Sequence, residues 1–306
     1  MKLVRAGIVV GKNNIEGYET LINVLSEPDF IELCTPVIFG SLESAEAAIK
    51  KVEPENAVTF NVLKAMNESV DGRINFIDNL SSETDAINIA VNSYLDNCVD
   101  ALIVMAHEVY NDPGKQRLTA TIAESMQHEN KGFLDWFCND KNRSINISSL
   151  DDIEVINKSL RWDYTLIRPR MAVISNKEEL SEKIANLREN GYNIFGPFNP
   201  GKEETKDIYK KYDALLFLDE LKANNQFKNS LNARQRSHGY ISGLPMVLTY
   251  TLKSPETTNL KEAIYSAIDI DRARMKYRKA TFSPLEKLWN PKGRDDFKLD
   301  LSATED

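Results

Sequence analysis

The sequence predicts an α/β protein, a sheet covered by helices on both faces. Short apolar runs alternate along the chain with longer stretches whose apolar residues recur at helical spacing. The 306 residues suffice for two ordinary domains or one large α/β unit with ample core. Hydrophobic residues at 42% and charged residues at 27% are the ordinary mix of a soluble globular chain, so neither disorder nor a fibrous class is expected.

The elements follow in order. Residues 5–10 (RAGIVV) read as a strand and 17–27 as a helix. Residues 35–40 (TPVIFG) are a strand, and 41–52 a helix with Ser41 as N-cap and Glu43 in the first turn, where the helix dipole favours negative charge. Residues 57–63 and 74–78 are strand candidates, 81–98 a helix, and 100–106 (DALIVMA) a buried strand. The pattern resumes with a strand at 170–175, a helix at 177–190 and a strand at 192–196. Strands at 212–218 (YDALLFL) and 244–250 (LPMVLTY) follow, then a long helix at 260–280. The middle, 107–168, mixes helix and loop signals and reads as an irregular helical segment covering one face. No internal repeat stands out.

A net charge of -8 repels phosphate backbones and excludes nucleic acid as the expected partner. No apolar run approaches the 18 or so residues of a membrane span, and the N-terminal run is too short for a secretory signal. The three cysteines, Cys34, Cys98 and Cys138, form no CxxC pair, which fits reduced thiols in a cytoplasmic protein.

Chemistry is expected at strand carboxyl ends, as in other α/β sheets. His107 and Glu108 follow the strand at 100–106, and Glu220 follows the strand at 212–218. Glu220 and His107 are weak metal candidates if the two strand ends adjoin, since a metal site needs three or four ligands. Lys228 is a candidate anion holder. Gly196, Gly201 and Lys202 nearly spell a phosphate-binding loop. Glu203 stands where Ser or Thr would hold magnesium, and Pro197 and Pro200 remove backbone donors, so a turn into a helix is preferred. Gly7, Gly11 and Gly17 do not have dinucleotide-loop spacing. The basic run Arg272, Arg274, Lys276, Arg278, Lys279 reads as a solvated or subunit-contacting helix face. There is no nucleophile elbow, no HExxH and no paired-carboxylate motif.

Several phrases together resemble the 4-hydroxythreonine-4-phosphate dehydrogenase family. They are GYETLINVLSEPDFIELCTPVIFGS, RPRMAVIS, GYNIFGPF, YKKYDALLFL, Phe227-Lys228, GLPMVLT, AIYSAIDIDRARMKY and TFSPLEKL, in the family's order. The resemblance implies an isopropylmalate-dehydrogenase-like fold: two α/β/α domains with a cleft between them, and a homodimer that completes each site. Their approximate bounds would be 1–106 plus 244–306, and 107–243. It also implies oxidation with NAD, then decarboxylation, around a divalent metal held by three histidines.

The departures fall where that chemistry would be. Where the family has His-Asp-Gln-Gly, with a metal histidine, this chain has Glu220-Leu221-Lys222-Ala223. After RPRMAVIS the family's histidine-bearing segment is missing and NKEELSEK follows directly. The third histidine's Gly-His-Thr-Glu stretch is absent between Glu108 and Arg168, and Glu108-Val109 replaces an Asn-Lys. An arginine for substrate phosphate is Leu248, an asparagine is Gly239, and KSPETTN replaces the segment beside the nicotinamide. Lys12 replaces an acidic residue, and Lys228 alone keeps a family site residue. The expectation is therefore a catalytically inactive relative with a binding or regulatory role, pairing with itself or with an active paralogue. The rival expectation is a working NAD-dependent dehydrogenase of pyridoxine biosynthesis, or one with altered metal and substrate ligands.

Overall fold

The computed structural model describes residues 3–11, 13–52, 75–77, 83–105, 134–138, 143–147, 149–200, 208, 211–218, 238–244, 246–251 and 255–282. In chain order they form β1 (Val4–Val9), α1 (Ile15–Leu25), α2 (Pro28–Leu33), β2 (Cys34–Phe39), α3 (Leu42–Lys51), β3 (Asn75–Ile77), α4 (Glu83–Leu95) and β4 (Ala101–Val104). Next come β5 (Leu134–Cys138), β6 (Arg143–Asn146), α5 (Ile153–Tyr164), β7 (Met171–Ile174), α6 (Leu180–Glu189), β8 (Ile194–Phe198) and β9 (Ala214–Phe217). The last are β10 (His238–Ser242), β11 (Val247–Thr251) and α7 (Thr257–Phe282).

The strands make one 11-stranded sheet in the order β3-β2-β1-β4-β11-β10-β5-β6-β9-β7-β8. One block, β3-β2-β1-β4-β11, is parallel throughout. A second, β6-β9-β7-β8, is also parallel throughout. Between them β10 pairs antiparallel with β11 and with β5, and β5 antiparallel with β6. Three antiparallel steps reverse direction, so the second block runs opposite to the first. In β4, β7 and β9 every residue is buried, one face of each strand in one apolar cluster and the other face in a second. That is why these strands are continuous apolar runs rather than alternating ones.

One expectation is corrected here. The middle of the chain is not only helical: β5 and β6 enter the centre of the sheet, and α5 follows. The strands LDWFC and RSIN each carry charged or polar residues, so their sequences lack the apolar run that marks β4 or β9. The candidate strand at 57–63 lies outside the described residues. There is also a local correspondence between the blocks. In β2-β1-β4, Asp100 just before β4 accepts from the backbone N–H of Arg5 at 2.8 Å. In β8-β7-β9, Asp213 just before β9 accepts from the backbone N–H of Arg170 at 2.7 Å. Each unit builds strand, helix and neighbouring strand, then adds a D-A-L strand on the other side. The likeness is confined to a few residues per strand, too short to stand out as a repeat.

Helix α7, 26 residues and so roughly 39 Å long at 1.5 Å per residue, crosses the centre of one sheet face. Leu260, Ala263, Ile264, Ala267, Ile268 and Ile270 are its buried stripe. On α5 the stripe is Ile153, Ile156 and Leu160. Among the described residues no helix is long and apolar enough to cross a membrane.

Candidate functional site

The first block ends its strands in the turn from Val10 to Asn14, at Gly40-Ser41, at Met105 and at Thr251. Two helices begin at this edge, and their exposed backbone donors would attract an anion. Three of those donors are already engaged. Asn14 Oδ1 accepts from Gly17 N–H at 3.0 Å, Ser41 Oγ from Ser44 N–H at 3.4 Å, and the Tyr18 hydroxyl from Ser41 N–H at 2.5 Å. Gly40 is required there: a Cβ would lie 2.1 Å from the Tyr18 hydroxyl oxygen. Asn14, Tyr18 and Ser41 are all buried, so these groups serve the turn rather than an open surface.

Lys12, His107, Glu108, Glu220 and Lys228 lie outside the described residues, as do His128, Gly201 and Lys202. The strands that lead to them are described. β4, before His107 and Glu108, and β9, before Glu220 and Lys228, are separated by β11, β10, β5 and β6. Five inter-strand steps of about 4.8 Å put them roughly 24 Å apart. They also run in opposite directions, so their carboxyl ends open at opposite edges of the sheet. Within one chain these two strand ends do not adjoin. Among the described residues no three of His, Cys, Asp or Glu gather as a metal-binding group.

Gly196 of the near-phosphate loop belongs to β8, at φ +116°, and a Cβ there would be 2.6 Å from the Val173 carbonyl oxygen. It is a strand residue fitted against β7, not a loop residue free to wrap a phosphate. The β7–α6 connection is only residues 175–179, closed by Lys177 N–H donating to Ser175 Oγ at 3.2 Å. Burial pushes the Cys34 thiol up to about 12, with Arg272 pulling the other way, so it is no nucleophile at neutral pH.

The basic run does not behave as one face. Lys276, Arg278 and Lys279 are exposed, but Arg274 is 6% exposed. Successive residues on a helix are 100° apart, so a charge every second residue spreads around it. Position 274 continues the apolar stripe of α7, as Asp163 continues that of α5. The two meet. Arg274 Nε donates to Asp163 Oδ1 at 2.5 Å, Nη2 to Asp163 Oδ2 at 3.4 Å, and Nη1 to the Leu244 carbonyl at 3.2 Å. The Tyr240 hydroxyl accepts from Arg274 Nη2 at 2.5 Å and donates to Asp163 Oδ2 at 2.7 Å; Ser159 Oγ donates to the same oxygen at 2.5 Å. The Asp163 side chain is 0% exposed. Burial works against the Arg274 charge, but Asp163 and Tyr240 outweigh it and hold the guanidinium above its ordinary value. Burial raises the Tyr240 hydroxyl well above its usual range; Arg274 pulls it back and Asp163 adds to the rise. Charge alone made Arg274 look solvated; its place on the apolar stripe was the signal that could have found it.

The strand pair β10–β11 presents two unlike faces. Toward α7 are His238, with Nε2 2.9 Å from Ser266 Oγ, Thr249, donating to the Ala263 carbonyl at 3.0 Å, and Tyr240. The opposite face is apolar. Leu248 pairs across from Leu102, is 0% exposed, and packs in one cluster with Val9, Phe39, Val104, Ile241 and Tyr250. Gly239 lies opposite Tyr250, whose ring fills the space a side chain would take: a Cβ would be 2.1 Å from Cζ. Leu248 and Gly239 stand where the resemblance placed a phosphate arginine and an asparagine.

Sheet order and covering helices define an α/β protein with two opposed parallel blocks. No family model matches the chain. The 4-hydroxythreonine-4-phosphate dehydrogenase of Bacteroides thetaiotaomicron is 22% identical over 365 aligned positions, spanning 99% of this chain and 98% of that protein. A solved structure of a putative 4-hydroxythreonine-4-phosphate dehydrogenase from Salmonella typhimurium superposes with a TM-score of 0.63 at 16% identity, covering 88% of this chain and 100% of that one. The corresponding enzyme structure from Klebsiella pneumoniae gives 0.61 at 17% identity, covering 88% and 98%. The chain is thus similar over its whole length to a 4-hydroxythreonine-4-phosphate dehydrogenase, and it shares the fold of the two solved structures.

Proposed function

We propose that this chain is a non-catalytic member of the 4-hydroxythreonine-4-phosphate dehydrogenase family, acting by binding or regulation, as a homodimer or paired with an active paralogue in the cytoplasm. The carrying observation is the apolar face of β10–β11. Leu248 and Gly239, at the positions of two expected polar anchors, are built into a close-packed cluster. A substrate phosphate gains nothing from a buried leucine, and a hydride-transfer site that cannot position its substrate loses most of its rate. The short 175–179 connection adds support, since it leaves out the segment that would carry a metal histidine.

A second reading is favoured by the full-length match to the Bacteroides enzyme. In it the chain is a dehydrogenase whose metal and substrate ligands have moved, with His107, Glu108, Glu220, Lys12 and Lys228 as its candidate residues. A thermal-shift titration with zinc, magnesium, NAD and 4-hydroxythreonine-4-phosphate separates the two. A ligand that binds only the folded state at a hundred times its dissociation constant adds about 2.7 kcal/mol. The non-catalytic reading expects no shift with metal and substrate together. A saturable shift requiring both would support the second reading.

A further inference from the structure

We propose that the Arg274–Asp163–Tyr240 cluster is a conformational pin that sets the two parallel blocks of the sheet in one fixed relation across β10. The inference does not depend on the functional reading. The cluster joins side chains from both blocks, which also share the continuous sheet through β10, β5 and β6. Asp163 and Ser159 are on α5, which follows β6 of the second block; Arg274 is on α7, which follows β11 of the first. Tyr240 is on β10, and Leu244 lies in the connection from β10 to β11. Six hydrogen bonds converge there, and each of the three side chains bonds the other two.

The apolar stripes of α5 and α7 lie in one buried cluster, and non-directional apolar packing loses uniqueness of arrangement before it loses stability. A forked guanidinium on a carboxylate has one good geometry. The arrangement specifies a position, which the same area of leucine would not. Replacing such a pair by apolar residues of similar volume is often neutral for stability, so loss of specification can be read separately from loss of folding. Thr165, immediately after α5, is held at φ 55° and ψ 29°, a left-handed conformation rare for a β-branched residue. Such a residue persists where its surroundings over-determine the backbone, here at the end of the helix that carries Asp163.

The test is a pulsed dipolar distance measurement in the full chain. One spin label sits on exposed Cys98 beside β4, the other on A185C in α6. Cys34 is buried, and C138S removes the remaining thiol. The otherwise unchanged chain should give one narrow distance. The D163L/R274M double variant should keep its melting temperature within a few degrees but at least double the width of the distribution, or split it. An unchanged narrow distribution in that folded variant would overturn the proposal. Should the double variant not fold, Tyr240→Phe is judged by the same criterion: measurable broadening supports the pin, and an unaltered distribution refutes it.

Discussion

The two faces of β10–β11 are a few ångströms apart and made from alternate residues of the same strands, yet they are built on different principles. Toward α7, three polar side chains find partners: His238 with Ser266, Thr249 with the Ala263 carbonyl, Tyr240 with Arg274 and Asp163. Away from α7, Leu248, Tyr250 and Ile241 form close apolar packing and Gly239 makes room for a ring. The comparison shows where polar chemistry persists in this chain. It is retained where it supports the fold, and it is absent at the two described positions where the family resemblance placed substrate contacts.

The largest effects should come from exchanging the character of the faces. Arg274→Met leaves the Asp163 carboxylate buried without its cation and should cost about 3–5 kcal/mol, read by denaturant unfolding. Leu248→Arg puts a guanidinium into the apolar cluster and should cost on the order of 4 kcal/mol. If Leu248→Arg is instead well tolerated and confers phosphate binding, that face is an accessible site and the contrast fails.

Gly239→Asn should be smaller, about 1–3 kcal/mol, because the new side chain overpacks against the Tyr250 ring. Combining it with Tyr250→Ala should recover part of that specific clash in a double-mutant cycle; simple additivity would show that the ring is not what Gly239 accommodates.

The smallest effect is a dependence on pH. The Cys34 thiol is raised from 9.0 to about 12, mainly by burial. Its contribution is fully present below pH 9, its unfolded value, and is lost as pH rises through about 12. Tyr240, raised above an ordinary value of 10.0, acts with the same sign from pH 10 upward. Unfolding free energy should therefore fall above pH 9, and Cys34→Ala and Tyr240→Phe should each flatten that decline. A curve whose slope neither substitution changes would assign the alkaline loss to other groups.

The sequence displays what lies between two covering layers. β1, β2, β4, β7 and β9 are legible because burial on both faces demands runs of apolar residues. The N-cap Ser41 is legible because a hydroxyl before an apolar-periodic stretch satisfies a donor locally. β5, β6 and β10 are not, because their placement depends on strands remote in the chain, and their side chains mix polar with apolar. Of the buried cluster, Asp163 and Arg274 each continue an apolar stripe, yet the basic run assigns Arg274 to a solvated or subunit-contacting face and no motif marks Asp163. Leu248 and Gly239 are unremarkable strand residues until set beside the family phrase GLPMV and what precedes it. The candidate residues Lys12, His107, Glu108, Glu220 and Lys228 remain a proposal based on the ends of the strands that precede them.

The most direct measurement is NADH formation by the purified chain with 4-hydroxythreonine-4-phosphate, NAD and a divalent metal, beside the Bacteroides enzyme under the same conditions. A non-catalytic member should give no NADH above background while the other enzyme turns over. Formation at an ordinary enzymatic rate, about 1 per second or faster, would contradict it.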